Sequence, residues 1–354
     1  MRRSFPAIAT LLAACAYQSP VAERATPTAP AASIQVAESD VIRILSALAH
    51  DSAQGRRAGT EFADKAAAFI AAEMSAIGLM PAGDSAYFQK VPFRAAGNRL
   101  RLLDNLAALD TVPEAERRIS YNVIGIIPGA DPVLKDQVVM VGAHYDHVGV
   151  GAPVNGDSIY NGADDDASGV TAVLNIARII KTGPPPKRTM IFMASTAEES
   201  GILGARYYTR HPARPISQMV ADLEIEMIGR PDSLAGGRGK AWLTGYDRST
   251  MGAILKAANI PIVPDPYPNM RFFERADNIV FARLGVPAHT LSSYNLHSDY
   301  HQPDDEFEKI DTGHMTEVIN AAARAARLLA DGAAPAWNEG GRPVPPAPAP
   351  SPAR

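Results

Sequence analysis

The 354-residue sequence contains a single cysteine, Cys15, so an intramolecular disulfide bond is excluded. The formal net charge is only −4, and no basic stripe runs along the chain, which argues against a nucleic-acid-binding protein. Beyond the N-terminal region, the sequence lacks an apolar run long enough to form a membrane helix. With 46% hydrophobic residues, the chain can nevertheless bury a core and fold.

The N-terminal region predicts export. Two arginines precede a short, mostly apolar stretch, so residues 1–14 are typical of a signal peptide and are too short to span a bilayer stably. Residues 12–15 resemble a bacterial lipobox, in which Cys15 is lipidated and becomes the mature N-terminus. We therefore expect a protein anchored by lipid to the outer membrane and facing the periplasm. A plain signal peptide that releases a secreted protein is the alternative.

Composition divides the rest of the chain into three parts. Residues 15–36 are rich in alanine, proline, threonine and serine, which predicts a flexible tether after the lipidated cysteine. Residues 333–354 are rich in proline and alanine, which predicts a disordered tail. Residues 37–332 contain no internal repeat and no linker-like break, so we expect one folded domain there.

Strand and helix patterns alternate within this domain. Short apolar runs at 136–143 and 188–195 are typical of buried parallel strands, and residues 167–181 and 316–330 carry apolar side chains at helical spacing. The alternation predicts an α/β fold with a doubly wound, mostly parallel central sheet flanked by helices. Further elements are expected as strands at 120–127, 219–227 and 286–293, and as a helix that begins at Glu61 and ends at Gly78.

Acidic and histidine residues recur where the predicted strands end. Ligands of open parallel sheets bind outside the carboxyl ends of the strands, so we expect these residues to meet at one edge. Their nitrogen and carboxylate oxygen atoms suit two zinc ions that share one bridging carboxylate. The residues are His144, Asp165, Glu198, Glu199, Glu226 and His301.

Three consecutive aspartates precede the predicted helix at 167–181. One aspartate serves well as a helix cap, but three in one buried loop repel each other unless a cation compensates them. We take the middle one, Asp165, as the bridge between the metals. Asp166 or Ser168 then serves the helix start.

The adjacent glutamates and the His-x-Asp pair suggest a division of roles. Neighbouring side chains point in different directions, so Glu199 is the expected ligand and Glu198 the general base. Asp146 is placed to accept the second ring N–H of a metal-bound His144. His147 is expected in a supporting or exposed position.

Two of the ligands have rivals in the sequence. Glu224 has the same strand parity as Glu226, and a charge in that apolar segment is costly without a partner. His297 is the rival of His301.

The motifs together resemble a known family of co-catalytic di-zinc aminopeptidases and carboxypeptidases, typified by secreted bacterial leucine aminopeptidases. Its signature is His-x-Asp, an Asp-rich loop before Ala-Ser-Gly, Glu-Glu, an acidic residue before Met-Ile-Gly, and Tyr-His-x-Pro. All five parts occur here in that order, within a similarity that covers roughly residues 40–330.

The resemblance implies a zinc exopeptidase fold and a role for each matching residue. It assigns Glu198 as general base, Asp146 as the residue that orients the histidine, and a cis peptide bond between Asp165 and Asp166. The metals would be two zinc ions, with cobalt or manganese as alternatives. One zinc would be held by His144, Asp165 and Glu226, and the other by Asp165, Glu199 and His301.

The chain also departs from the family pattern. Glu226 stands where an aspartate is usual, and residues 276–278 read Ala-Asp-Asn instead of Ser-Asp-His. Phe272 and its neighbour occupy the region where some relatives have a tyrosine that binds the oxyanion. Arg271 or Arg275 is therefore the candidate oxyanion donor.

The predicted function is a metal-dependent exopeptidase, most simply an aminopeptidase that releases N-terminal residues from peptides through a water activated by two zinc ions. A carboxypeptidase or a one-zinc glutaminyl cyclase-like enzyme on the same fold is the alternative. A non-catalytic lipoprotein that binds peptides is the alternative of another class. We expect a peptide substrate, membrane contact only through the lipid anchor, and no nucleic-acid partner, while the sequence does not specify an oligomeric state.

Overall fold

A computed structural model of the chain describes Met1 and residues 35–344. The predicted signal peptide, the lipidation site at Cys15 and nearly all of the predicted tether lie outside the described residues. None of the described helices has the length and apolar content needed to cross a membrane.

Helices and strands alternate along residues 35–344, together with short 3-10 turns. The α-helices of this segment are α1 (Glu38–Leu48), α2 (Glu61–Ile77), α3 (Gly169–Thr182), α4 (Leu203–Arg210), α5 (Met251–Ala257), α6 (Asn278–Leu284) and α7 (Thr312–Asp331). Its strands are β1 (Met80–Pro81), β2 (Phe88–Ala96), β3 (Arg99–Leu102), β4 (Arg117–Ile127), β5 (Val138–His144), β6 (Gly149–Val154), β7 (Asp157–Tyr160), β8 (Thr189–Ser195), β9 (Met219–Ile225), β10 (Ala241–Leu243), β11 (Ile262–Pro264) and β12 (Ala288–Ser292).

A ten-stranded sheet runs through this part of the chain in the order β11-β10-β12-β9-β5-β8-β4-β2-β3, with β1 paired to β4. Its centre, β12-β9-β5-β8, is parallel, whereas β4, β2 and β3 add antiparallel strands on one side. β6 and β7 form a separate hairpin. The predicted α/β fold, with a parallel sheet at its centre and helices around it, is confirmed.

The central strands are buried on both faces, which explains why they are continuously apolar. In β5, Val139 and Val141 pack into the core that contains α1, α2, α3 and α7, while Val138 and Met140 pack into a second core with α4 and α6. Alternate residues of one strand thus bury side chains in opposite helical layers. Each fully buried aliphatic side chain of this kind contributes roughly 1.5–3 kcal/mol.

The predicted limits of helix α2 are confirmed, whereas the predicted start of the disordered tail is too early. Helix α2 begins at Glu61, and Gly78 ends it in the left-handed conformation with φ 83°, as predicted. In contrast, part of the predicted disordered tail is packed: the Trp337 indole N–H donates to the Gly285 carbonyl at 2.9 Å. The backbone of Thr250 also bonds to residue 336, so the folded part continues beyond residue 332.

β12 also carries a fully buried histidine. The Nε2 atom of His289 lies 2.7 Å from the Ser249 hydroxyl, and its Nδ1 atom lies 2.8 Å from the Thr244 carbonyl. Burial lowers the pKa of His289 to about 4, despite the contact with that carbonyl. The native fold therefore holds this imidazole in its neutral form.

Candidate metal centre

The carboxyl ends of the central strands bring the predicted site residues together. His144 is the last residue of β5, Glu198 and Glu199 follow β8, and Glu226 follows β9. Because these strands are parallel neighbours, their ends share one edge of the sheet. Asp165 joins them from the loop before α3.

Asp165 lies at the middle of the cluster. Its Oδ1 atom is 3.2 Å from Nε2 of His144, and its Oδ2 atom is 3.1 Å from Nε2 of His301. The two oxygens of one buried carboxylate therefore face two different groups of donors. The first group consists of His144, Asp165 and Glu226, whose donor atoms lie within 4.8 Å of one another.

The second group contains one more residue than the sequence analysis expected. The Oε1 atom of Glu199 lies 3.0 Å from Nε2 of His301 and 2.9 Å from Nδ1 of His147. His147 is only 1% exposed, so the alternative that placed it on the surface is wrong. The donors of His147, Asp165, Glu199 and His301 all lie within 4.8 Å of one another.

The donor atoms of both groups are close to each other but are not hydrogen bonded. Among the described residues, Nε2 of His144, Nδ1 of His147 and Nε2 of His301 have no hydrogen-bond partner, although carboxylate oxygens lie within 2.9–3.2 Å. Buried polar atoms without partners are costly. Nitrogen and oxygen donors that converge in this way fit divalent metal ions such as zinc.

The rival residues lie outside both groups. The carboxylate of Glu224 packs so closely on Gly142 that a Cβ atom there would come within 2.3 Å of it. His297 contacts Asp164 instead, with 3.0 Å between Nε2 and Oδ2. Of each predicted pair, the structure thus brings Glu226 and His301 to the donor cluster.

Asp146 and Asp166 organise the backbone around these donors. The ring Nδ1 of His144 lies 3.1 Å from the Asp146 carbonyl, while the Asp146 carboxylate is 3.8 Å away and accepts from the Glu198 backbone N–H at 3.0 Å. The carbonyl therefore makes the contact that was expected from the carboxylate. Asp166 accepts from the Gly169 N–H at 2.9 Å and so serves the start of α3, as one of the two predicted options. The Asp165–Asp166 peptide is cis.

Burial controls the ionisation of the cluster. It raises the pKa of Glu226 to about 8 and that of Asp146 to about 7, and it raises the pKa of Glu198 well above its usual range. Burial alone would lower the pKa of His301, but the Asp165 and Glu199 carboxylates outweigh it and raise the value to about 10. So many acidic groups in a small volume are best compensated by bound cations.

The sequence pattern of peptidase family M28 matches residues 122–326, which include every predicted ligand and the predicted base. This match covers more than half of the chain. The chain belongs to peptidase family M28. The family resemblance predicted from the motifs is therefore confirmed.

The sequence is similar to parts of longer known proteins. The chain is 31% identical over 180 residues to a probable leucine aminopeptidase 2 of Aspergillus fumigatus, covering 49% of this chain and 33% of that protein. It is 35% identical over 114 residues to leupeptin-inactivating enzyme 1 of Streptomyces exfoliatus, covering 32% of this chain and 23% of that protein. The chain thus spans a third or less of these curated relatives.

Solved structures of similar fold cover the chain more fully. An aminopeptidase from Aneurinibacillus sp. strain AM-1 has a TM-score of 0.59 at 17% identity and covers 88% of this chain and 97% of its own. The zinc aminopeptidase BSAP of Bacillus subtilis has a TM-score of 0.59 at 16% identity, covering 83% and 95%. At this level of identity, the comparison establishes the shared fold.

Sequence reasoning missed a buried arginine in this M28 chain. Arg56 is fully buried and donates to the carbonyls of Tyr145, Leu48, Asn161 and Gly162 at 2.6–2.9 Å. Burial lowers its pKa to about 10, although the carboxylates nearby oppose this shift. Its guanidinium group ties the loop after His144 to the loop before Asp165.

Asp305 is a second residue that sequence reasoning missed. Its carboxylate accepts the backbone N–H groups of Asp164 and Asp165 at 3.0–3.1 Å, and Arg230 lies 3.3 Å away. Burial raises the pKa of Asp305 to about 6. The available clue was the acidic pair Asp304-Asp305 that closes the motif containing His301.

A small cavity opens beside the first donor group. It has a volume of about 70 Å³, and its lining includes Glu198, Glu226 and Arg275. The guanidinium of Arg275 lies 5.0 Å from the ring centroid of Phe272. Arg271, the other candidate oxyanion donor, is exposed and pairs with Glu274 instead. The remaining walls are largely aromatic and hydroxyl side chains: Trp242, Tyr294, Tyr300, Thr244, Thr290 and Ser292.

Proposed function

We propose that this chain is a metal-dependent aminopeptidase that binds two divalent cations and releases N-terminal residues from peptides. The observation that carries the proposal is the position of Asp165, whose two oxygens face two separate groups of nitrogen and carboxylate donors. A carboxylate shared in this way is suited to bridging two metals.

The proposed ligands are five in number. Bound zinc, or cobalt or manganese in its place, supplies Lewis-acid activation of water and of the peptide carbonyl. The chain's own residues would fix the positions of these ions. His144, Asp165 and Glu226 would hold one ion, and Asp165, Glu199 and His301 the other.

Glu198 is the proposed general base. Its carboxylate lines the cavity beside Glu226, where it can reach a water bound at the first donor group, and burial raises its pKa well above the usual range. It takes a proton from the attacking water and passes it to the nitrogen of the departing peptide. The hydrogen bond from its backbone N–H to Asp146 holds this residue in place.

The aromatic cavity is the proposed binding site for the side chain of the N-terminal residue. Its volume of about 70 Å³ is roughly half that of a cavity that binds benzene, about 150 Å³, so a small aliphatic side chain is the expected occupant. The M28 family and the relatives named as leucine aminopeptidases support the same substrate class. Arg275 is the proposed donor to the carbonyl oxygen as negative charge develops on it.

Peptide hydrolysis with blocked termini tests the function directly. The metal-loaded protein should release the first residue of a leucine-initiated peptide, chelator should abolish this, and zinc should restore it. An N-acetylated version of the peptide should be resistant, whereas a C-terminally amidated version should be cleaved. The reverse pattern would identify a carboxypeptidase, cyclisation of an N-terminal glutamine would identify a glutaminyl cyclase, and binding without turnover would identify a peptide-binding protein.

A further inference from the structure

The family pattern does not account for His147, the additional histidine of the second donor group. We infer that His147 is a ligand of the metal held by Glu199 and His301. This inference rests on the proposed two-metal function and assigns the second metal four protein ligands in total, with Asp165 as the fourth.

The donor separations agree with a tetrahedral site. Four donors at about 2.0–2.2 Å from a tetrahedral zinc lie about 3.3–3.6 Å from one another. Nδ1 of His147 is 2.9 Å from Glu199 and 3.8 Å from Asp165, and Nε2 of His301 is 3.0 Å and 3.1 Å from the same two carboxylates. These four separations bracket the tetrahedral value.

A purely structural role for the ring is not supported by its surroundings. A buried histidine in a core normally satisfies its ring nitrogens with neutral groups, as His289 does with a hydroxyl and a carbonyl. Nδ1 of His147 instead faces the carboxylates of Glu199 and Asp165 without a well-aligned hydrogen bond, and its Nε2 atom has no hydrogen-bond partner among the described residues. The fold also makes room for the ring. A Cβ atom on Gly162, which has a φ of 58°, would come 2.5 Å from Cγ of His147.

The fourth ligand makes the two metal positions unequal. Four protein ligands fill a tetrahedral site, whereas three ligands leave one position free for substrate or water. The free position then belongs to the ion held by His144 and Glu226, which is also the ion beside the aromatic cavity and Glu198. The His147 position should accordingly fill first and retain its metal longer.

X-ray absorption spectroscopy on the unaltered protein tests the ligand count without a mutation. With one equivalent of zinc, the spectrum should contain two imidazole ligands per metal, from His147 and His301. A single imidazole per zinc at one equivalent and again at two equivalents would overturn the inference, because His147 would then bind neither metal; with His147 as a ligand, two equivalents average about one and a half imidazoles per zinc.

Zinc competition with a chromophoric chelator tests the same point by substitution. His147→Gln should weaken the tighter of two zinc sites by at least about 10–100-fold and leave the weaker site unchanged. His314→Gln is the matched control, since His314 is equally buried but is bonded to Gly239 and Ser293. Unchanged zinc affinity in the His147 variant would refute the inference.

The two levels of the proposal fail in different ways. If the unaltered protein binds two zinc ions and cleaves peptides but His147→Gln binds zinc equally well, the assignment of His147 fails and the peptidase function stands. If the unaltered protein binds no zinc and shows no chelator-sensitive cleavage, the proposed function itself fails, and the ligand assignment fails with it.

Discussion

Arg56 provides the most specific prediction about how the site is held together. Its guanidinium donates to four backbone carbonyls, and two of these belong to Tyr145 and Gly162 in the loops that carry the proposed ligands. Replacing it by methionine leaves these buried carbonyls without their donor and removes the cation that faces the carboxylates of Asp146 and Asp165.

The expected loss in the free energy of unfolding is large for a change of one side chain. A charge-assisted hydrogen bond contributes about 1.5–3 kcal/mol, but the four bonds of Arg56 share one group and do not add. Breaking a buried charged contact by removing one partner costs about 3–5 kcal/mol, and we expect Arg56→Met to fall in this range. Arg56→Lys keeps the charge but not the planar fork, so we expect it to lose about 1–3 kcal/mol.

Two measurements check this prediction. Urea unfolding in chelator gives the free energy of unfolding of the metal-free chain, and zinc competition gives the affinity of the site, which should fall by about 10–100-fold. Arg57→Met is the matched control, because Arg57 is half-buried and its side chain donates to a single described acceptor, the Asn98 carbonyl. The reasoning would be refuted if the Arg56→Met variant were as stable as the Arg57→Met variant, or if it bound zinc with normal affinity.

The remaining predictions concern catalysis and pH. Glu198→Gln should retain both zinc ions by elemental analysis but lose about 10²–10⁴-fold in kcat, and normal turnover would show that Glu198 is not the base. Arg275→Met should lower kcat by about 10²–10³-fold, whereas Arg271→Met should not; equal rates for the two variants would remove Arg275 as oxyanion donor. For His289, the folded pKa of about 4 lies below the unfolded value of about 6.5, so its contribution to stability is present above pH 6.5 and is lost as the pH falls through this window. The metal-free protein should therefore lose about 2 kcal/mol between pH 7 and pH 5 that His289→Gln does not lose, and parallel curves for the two proteins in urea unfolding would contradict this assignment.

The site at the sheet edge could be predicted from the sequence because the buried central strands are short, continuous apolar runs. The apolar runs that form β5 and β8 locate His144 and Glu199 just at or after strand ends. Because the two strands are parallel neighbours, their ends lie at the same edge of the sheet. Position along a strand does not tell which of two similar residues joins the donor cluster. Glu226 and Glu224 share strand parity, and only the packing of Glu224 on Gly142 separates them.

Other features depend on contacts that composition cannot reveal. Arg56 and Arg57 are adjacent and chemically identical in the sequence, yet one is fully buried and the other is half-buried. His147 follows the His-x-Asp motif directly, but its inward direction depends on the distant Gly162. Similarly, a segment rich in proline and alanine looks disordered until Trp337 is seen to bond to Gly285.

Groups outside the ligand set hold the proposed ligands in place. The Asp305 carboxylate accepts backbone N–H groups of the loop that carries Asp165. The Arg56 guanidinium donates to the Tyr145 carbonyl, in the loop after His144, and to the Gly162 carbonyl, in the loop before Asp165. The loop that carries Asp165, the proposed bridging carboxylate, is thus fixed through its N–H groups by the Asp305 carboxylate and through two of its carbonyls by the Arg56 guanidinium. Such support lets a cluster of mutually repelling carboxylates keep its geometry before metal binds, which reduces the reorganisation needed on binding. The two supporting residues should therefore affect metal affinity as strongly as some of the ligands, although neither touches the metal.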